Sequence, residues 1–344
     1  MKKMRIAAIV LAAVVALAPV PASWIEAWYS RGLYLTLQNA LTPATNLVPI
    51  ALLDVAGLML AAGLMTIFVR RWRRAGLARA VLQMTITIVT AAACVYLWFV
   101  GAWGLNYRRV PLESRLEFDE ARFTQAAARL LGERAVDQIN LLRPTRSAID
   151  NGVGNLQQAF AAAQSTLGQS HAVPGVPKRS LLGLYFRRAA IDGMTDPWFL
   201  EIIVNPDLFP FERPFVVAHE WAHLAGYAHE AEANFVGWLT CVNGDVDAQY
   251  SAWLMVYENV WSQLPRADRI ALAARLSEGV REDLRAMAAR YETSTPIVRT
   301  AARDVYDSYL RANRVREGIA SYTGVVRLLI GAGVAEGRTP VIVR

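Results

Sequence analysis

The chain has 344 residues, 54% of them hydrophobic, and a mean hydropathy of +0.25, values that exclude a disordered chain and point to membrane segments. Its formal net charge of +7 sits entirely in residues 1–104, which carry nine Lys and Arg against Glu26 and Asp54, while the remaining 240 residues carry 27 basic and 27 acidic side chains. That distribution reads as a membrane-topology signal rather than a phosphate-binding face, so no nucleic-acid partner is expected.

Three apolar runs open the chain. The first, about 6–20, follows Lys2, Lys3 and Arg5 and ends in Pro19-Val20-Pro21-Ala22. It is short for a span; an uncleaved membrane helix is expected, with a cleavable signal peptide as the alternative. The second, about 48–69, is interrupted only by Asp54, and the third covers about 80–105. Both are long enough to cross a hydrocarbon core of roughly 30 Å. Between them lies Arg70-Arg71-Trp72-Arg73-Arg74, with Arg79 close behind. Short Arg-rich loops face the cytoplasm, so residues 21–47 are placed outside and the third helix delivers the rest of the chain outward. The sequence thus divides into a membrane anchor, 1–105, and an extracytoplasmic domain, 106–344, on a multi-pass protein of the bacterial cytoplasmic membrane. The lipid bilayer is its first expected partner. Asp54, near the outer end of its helix, is expected at the solvated interface. Cys94 and Cys241 have no metal-binding spacing and read as free thiols.

Residues 106–344 are mostly helical by pattern. Asp119 is a plausible N-cap for a helix over about 120–142, stopped at Arg143-Pro144, and a second amphipathic helix is expected over about 147–167. The stretch 171–180 reads as a loop. Leu181–Arg187 and Phe199–Val204 are short β-compatible runs, read as strands of a small sheet; the latter is a place where an extended substrate could add as a strand. The expected fold class is mainly α with a small β-sheet.

The chemistry lies in His219-Glu220-Trp221-Ala222-His223, an H-E-x-x-H. A helix puts residues four apart on one face, so both imidazoles can bind one metal ion with Glu220 beside the open position. The helix begins near Pro214, and from Phe215 to Ala225 its polar members apart from the Trp ring nitrogen are His219, Glu220 and His223. Burying them is costly unless something satisfies them, which metal coordination does. Gly226 supplies the helix stop. A second apolar helix follows, with Glu230, Glu232 and Asn234 in its first turn. Catalytic zinc usually takes three protein ligands, and Glu232, nine positions after His223, is the expected third. Its rivals, Glu230 and His229, read more simply as polar residues at the helix entrance. Further helices are expected at about 247–263, 267–291, 296–313 and 318–331, punctuated by Pro265 and Pro296.

The segment from His219 to Leu239, HEWAHLAGYAHEAEANFVGWL, resembles the signature of a bacterial family of membrane-anchored, zincin-like proteins known mainly as a domain of unknown function. The resemblance extends to Trp103-Gly104-Leu105-Asn106-Tyr107 and to Gly318-Ile-Ala-Ser321-Tyr322, and so covers nearly the whole chain. It implies three amino-terminal spans and a gluzincin-like α+β metallopeptidase domain, and it maps the third ligand onto Glu232. Thermolysin-like enzymes place an Asp four residues after that glutamate to orient a histidine; here Val236 stands there, and Asn234 is a candidate substitute.

The expected function is a membrane-anchored zinc metallopeptidase. His219, His223 and Glu232 would hold Zn²⁺, and Glu220 would take a proton from zinc-activated water and return it to the leaving amine. The substrate is an unidentified peptide or protein. Tyr227, Tyr257 and Tyr322 are possible oxyanion donors, and His171 reads as a surface residue. Two alternatives stand: a zinc hydrolase of a non-peptide envelope substrate, and a non-catalytic zinc-binding assembly module.

Overall fold

A computed structural model describes residues 2–145, 154–169 and 171–342. The first apolar run forms α1 (Lys2–Leu17), about 24 Å long at 1.5 Å per residue. Two prolines end it, and the chain turns by 108° into a continuous helical run, Ala22–Asn46. That run comprises α2 (Ala22–Trp24), a π-helical stretch (Ile25–Leu33) and α3 (Tyr34–Asn46). Next come α4 (Leu52–Ala75) and α5 (Leu77–Ala102), joined at Gly76 with φ of 79°. These two helices are long and apolar enough to cross a membrane.

Residues 22–46 do more than link helices. One face of the run is buried against the body that follows. The Tyr34 hydroxyl donates to Leu224 O at 2.7 Å, Thr42 donates to Leu200 O at 2.8 Å, and Gln38 exchanges two hydrogen bonds with Val173. Buried polar side chains persist where their partners are supplied, and here the body supplies them. The opposite face exposes Trp24 and Trp28.

In the body, Asp119 caps only a short turn, Glu120–Arg122, and Thr124 caps α6 (Gln125–Leu142), so the helix expected from 120 starts five residues later. It is followed by α7 (Gly154–Thr166); the part of that expected helix at 147–153 lies outside the described residues. The strand expected over 181–187 is instead a helix, α8 (Gly183–Ala189), closed by Ala190 in the left-handed region. A short apolar run without strict alternation does not distinguish the two. The sheet has order β1-β3-β2, with β1 (Pro177–Lys178) parallel and β2 (Gly193–Asp196) antiparallel to the central β3 (Glu201–Val204). Because β3 is paired on both sides, it cannot accept a further strand; among the described residues β2 is paired on one side alone.

The core is built on α9 (Arg213–Leu224), α10 (Glu230–Val242) and α11 (Val246–Trp261), packed with α6 and α7. The single helix expected over 267–291 is broken into α12 (Arg266–Ala274) and α13 (Glu278–Glu292). Asn140 holds the break, donating to Arg275 O and accepting from Ser277 N, each at 2.8 Å. The chain continues through α14 (Pro296–Ala312), the 3-10 turn Gly318–Thr323 and α15 (Gly324–Gly331).

A buried ion pair ties the sheet to the anchor. Lys178 Nζ lies 2.5 Å from Glu201 Oε2, both side chains being sealed from solvent, and the other Glu201 oxygen accepts from Leu53 N. Asp196, opposite Glu201 in the register, is fully buried. Burial, aided by the Glu201 charge, pushes its carboxyl from 3.8 up to about 7, against the hydrogen bond from Trp198 N. The folded state therefore holds a proton that the unfolded chain releases, so stability falls as pH rises from about 4 to about 7. Asp196→Asn should flatten this slope in thermal unfolding of the detergent-solubilised protein; an unchanged slope would assign it to other groups.

Candidate metal centre

From Val217 to Leu224, α9 is buried on every side. Its i, i+4 histidines project into a cleft of about 1040 Å³ running between α9, β2 and α14. His219 Nε2 and His223 Nε2 lie 3.1 Å apart, with the rings nearly perpendicular. Glu230, the first residue of α10, brings its Oε2 to 3.3 Å from His219 Nε2 and 3.6 Å from His223 Nε2. Among the described residues, these three side chains form the one group able to place ligand atoms around a single ion.

The three donors are held differently. His223 Nδ1 lies 2.7 Å from Tyr227 O; a ring nitrogen facing a carbonyl carries the proton, which leaves Nε2 as the lone-pair donor. Tyr306 donates its hydroxyl to Glu230 Oε1, and among the described residues Glu230 Oε2 is buried with no hydrogen-bond partner beyond the two histidines. Burial pushes the His223 imidazole down, but the Glu230 carboxylate outweighs this and raises it to about 9. Against its own burial, the same contacts hold Glu230 well below the usual carboxylate range.

The turn between the two helices is clamped by its carbonyls. Tyr34 bonds Leu224 O, Trp103 Nε1 bonds His223 O at 3.0 Å, Gln169 bonds Ala225 O at 2.6 Å and Arg109 bonds Gly226 O at 2.8 Å. Gly226 has φ of 84°, and a Cβ there would meet Asn106 and Tyr34. Trp103 and Asn106 belong to the Trp-Gly-Leu-Asn-Tyr segment singled out above, whose place in the fold is therefore beneath this turn.

Glu220 is buried beside the pair. Its Oε2 accepts from the Thr195 hydroxyl at 2.7 Å, and a Cβ at Gly193 would come within 2.6 Å of its Oε1. Strand β2 thus both leaves room for the carboxylate and orients it. Burial raises the Glu220 carboxyl, with the histidine charges and Thr195 opposing.

Glu230, not the expected Glu232, is the carboxylate this geometry brings beside the two histidines. Glu232 points away from the histidines; its Oε1 accepts from Leu112 N at 2.7 Å. Residues two apart on a helix differ by about 200°, so only one of the two glutamates can face α9. Gly237 decides which: it packs directly on the His219 backbone, and Glu230, Asn234 and Gly237 share one face of α10. Asn234 lines the cleft and reaches Tyr322 O at 3.4 Å rather than orienting a histidine. His229 turns to Tyr107 O. Of the tyrosines considered, Tyr322 lines the cleft beside Glu230, Tyr227 packs under Arg109, and Tyr257 packs against Trp261. Thr195 and Tyr306 carry no motif signal and emerge only from the fold.

The fold and site define a mainly helical protein with apolar helices of membrane-spanning length and a buried His-His-Glu cluster. A model for a family described as protein of unknown function (DUF3810) matches residues 29–330, and the chain belongs to that family. No curated protein and no solved structure matches it.

Proposed function

We propose that the chain is a membrane-anchored zinc metallopeptidase of the gluzincin type, with its metal held by His219, His223 and Glu230 and with Glu220 as general base. The observation that carries this reading is the convergence of two imidazole nitrogens on one otherwise unpartnered, buried carboxylate oxygen. A His₂Glu donor set suits catalytic zinc, whereas structural zinc is usually closed by four protein ligands, often Cys. Zinc bound there supplies Lewis acidity toward a carbonyl and lowers the pKa of water.

The chain's own groups supply the rest. Glu220, steadied by Thr195, is placed to accept a proton and return it to a leaving amine. The outer edge of β2, whose Gly193, Met194 and Thr195 line the cleft, offers backbone groups to an extended peptide. Tyr306 and Tyr322, beside Glu230, are candidate donors to a developing oxyanion. The Arg cluster at 70–74 supports a topology with that end of α4 and α5 in the cytoplasm, the body outside and α1 as a third, shorter span.

Elemental analysis of the purified full chain should find one zinc per molecule. Glu230→Ala should lose it and Glu232→Ala should keep it. Zinc lost from the Glu232 variant and retained by the Glu230 variant would return the third ligand to Glu232. Metal content indifferent to His219→Ala and His223→Ala would end the proposal.

A further inference from the structure

The membrane helices and the cleft are not separated by a stalk. Counting about twenty residues of hydrocarbon depth back from Arg70 places the outer boundary of α4 near residue 50. Asp54, within the first turn of α4, accepts from Ser180 Oγ and Leu181 N at 2.8 and 2.7 Å, and Ala51 packs with Phe186 and Ile203. The start of α8 is thus pinned at that level, yet Leu181 and Leu184 are 71% and 54% exposed. The same count forward from Arg79 places the outer boundary of α5 near Phe99. There Trp98, half-exposed as interfacial tryptophans are, donates to Trp198 O at 3.0 Å. Phe186 on α8 and Trp198 both line the cleft. One turn beyond Phe99, Trp103 bonds the backbone of His223.

Two spans counted independently therefore put two walls of one cleft at the bilayer surface. We infer that the Leu181–Leu184 segment entering α8 rests in the outer interfacial layer and that the cleft takes its substrate from there: a polypeptide tethered in the same bilayer and cut close to it. Two apolar side chains standing open beside a span are covered by the lipid that covers the span. A tethered chain also meets the cleft at an effective concentration that a soluble peptide does not reach. The substrate class rests on the peptidase reading above; the placement of α8 does not.

The test uses the full chain in vesicles of phosphatidylethanolamine and phosphatidylglycerol doped with nitroxide-labelled phosphatidylcholine. With Cys94→Ser removing the exposed thiol, an environment-sensitive fluorophore is attached at Leu58→Cys, on the uncovered face of α4, or at Leu184→Cys. Quenching is expected at both positions. Quenching at 58 alone, or at neither, overturns the placement. A cleavable peptide is then compared with its palmitoylated form in the same vesicles. The lipidated form should show kcat/KM about tenfold or more higher, and Leu181→Asp with Leu184→Asp should erase that preference without slowing cleavage of the soluble form. Equal rates on the two forms in the native chain overturn the substrate class and leave the peptidase standing. Cleavage of neither form by zinc-loaded protein overturns the peptidase reading and the substrate class with it, while the quenching result still decides where α8 lies.

Discussion

Glu220→Gln is expected to bind zinc as the native chain does and to lose hydrolysis by about 10²–10⁴-fold, the usual worth of a positioned general base. The substitution keeps size and hydrogen-bonding shape, so the Thr195 hydroxyl can still donate to the side-chain oxygen at this position. What disappears is the ability to take a proton. Metal content should be unaffected because Glu220 is outside the group of His219, His223 and Glu230. The loss should fall on kcat rather than KM, since the base acts in the chemical step. Thr195→Val should move in the same direction by less, freeing the carboxylate to rotate while leaving it charged. A Glu220→Gln protein that cleaves at the native rate would eliminate the base, and with it the reason for preferring catalytic over structural metal.

How much of this was open to reading in the sequence depends on which physical scale decided each feature. The two histidines and Glu220 are fixed by helix periodicity within five residues, so spacing alone places them on one stripe of α9. Glu230 and Glu232 are equally acidic and equally near the start of α10. Choosing between them requires the rotation of α10 about its axis, which is set by the contact of Gly237 with the His219 backbone, a tertiary fact. Thr195 reaches Glu220 from a four-residue strand that has no signature of its own. The segment 21–47 is expected outside the membrane, but its role as a wall of the body depends on Gln38 and Thr42 finding partners more than a hundred residues away. The small sheet was anticipated in kind, although α8 replaced one of its two expected strands, because seven apolar-rich residues do not specify their own period.

The second large effect is expected outside the proposed ligand set. Arg109→Leu should destabilise the protein by about 3–5 kcal/mol, the range for breaking a buried ion pair from one side, and should weaken zinc retention at the same time. Arg109 is almost wholly buried and grips Glu26 through two hydrogen bonds of 2.8 and 2.9 Å. Its third arm bonds Gly226 O, and its guanidinium covers the Tyr227 ring at 4.8 Å. Removing it leaves Glu26 with Arg115 at 2.7 Å as its remaining ion-pair partner, and it releases the turn that carries Tyr227 O to His223 Nδ1. Weaker orientation of that imidazole lowers metal affinity without altering a ligand, by about 10–100-fold where such supporting contacts have been removed. Pairing the change with Glu26→Leu should recover part of the stability, because the Glu26 carboxylate is then no longer buried without Arg109, while Arg115 loses its 2.7 Å partner. It should not recover the metal affinity, because Gly226 O still lacks its donor. Competition with a zinc chelator, measured alongside thermal unfolding, separates the two effects. If the double variant regains both together, the clamp serves stability alone; if chelator resistance stays low while unfolding recovers, the Arg109 bond to Gly226 O is what positions the proposed metal centre.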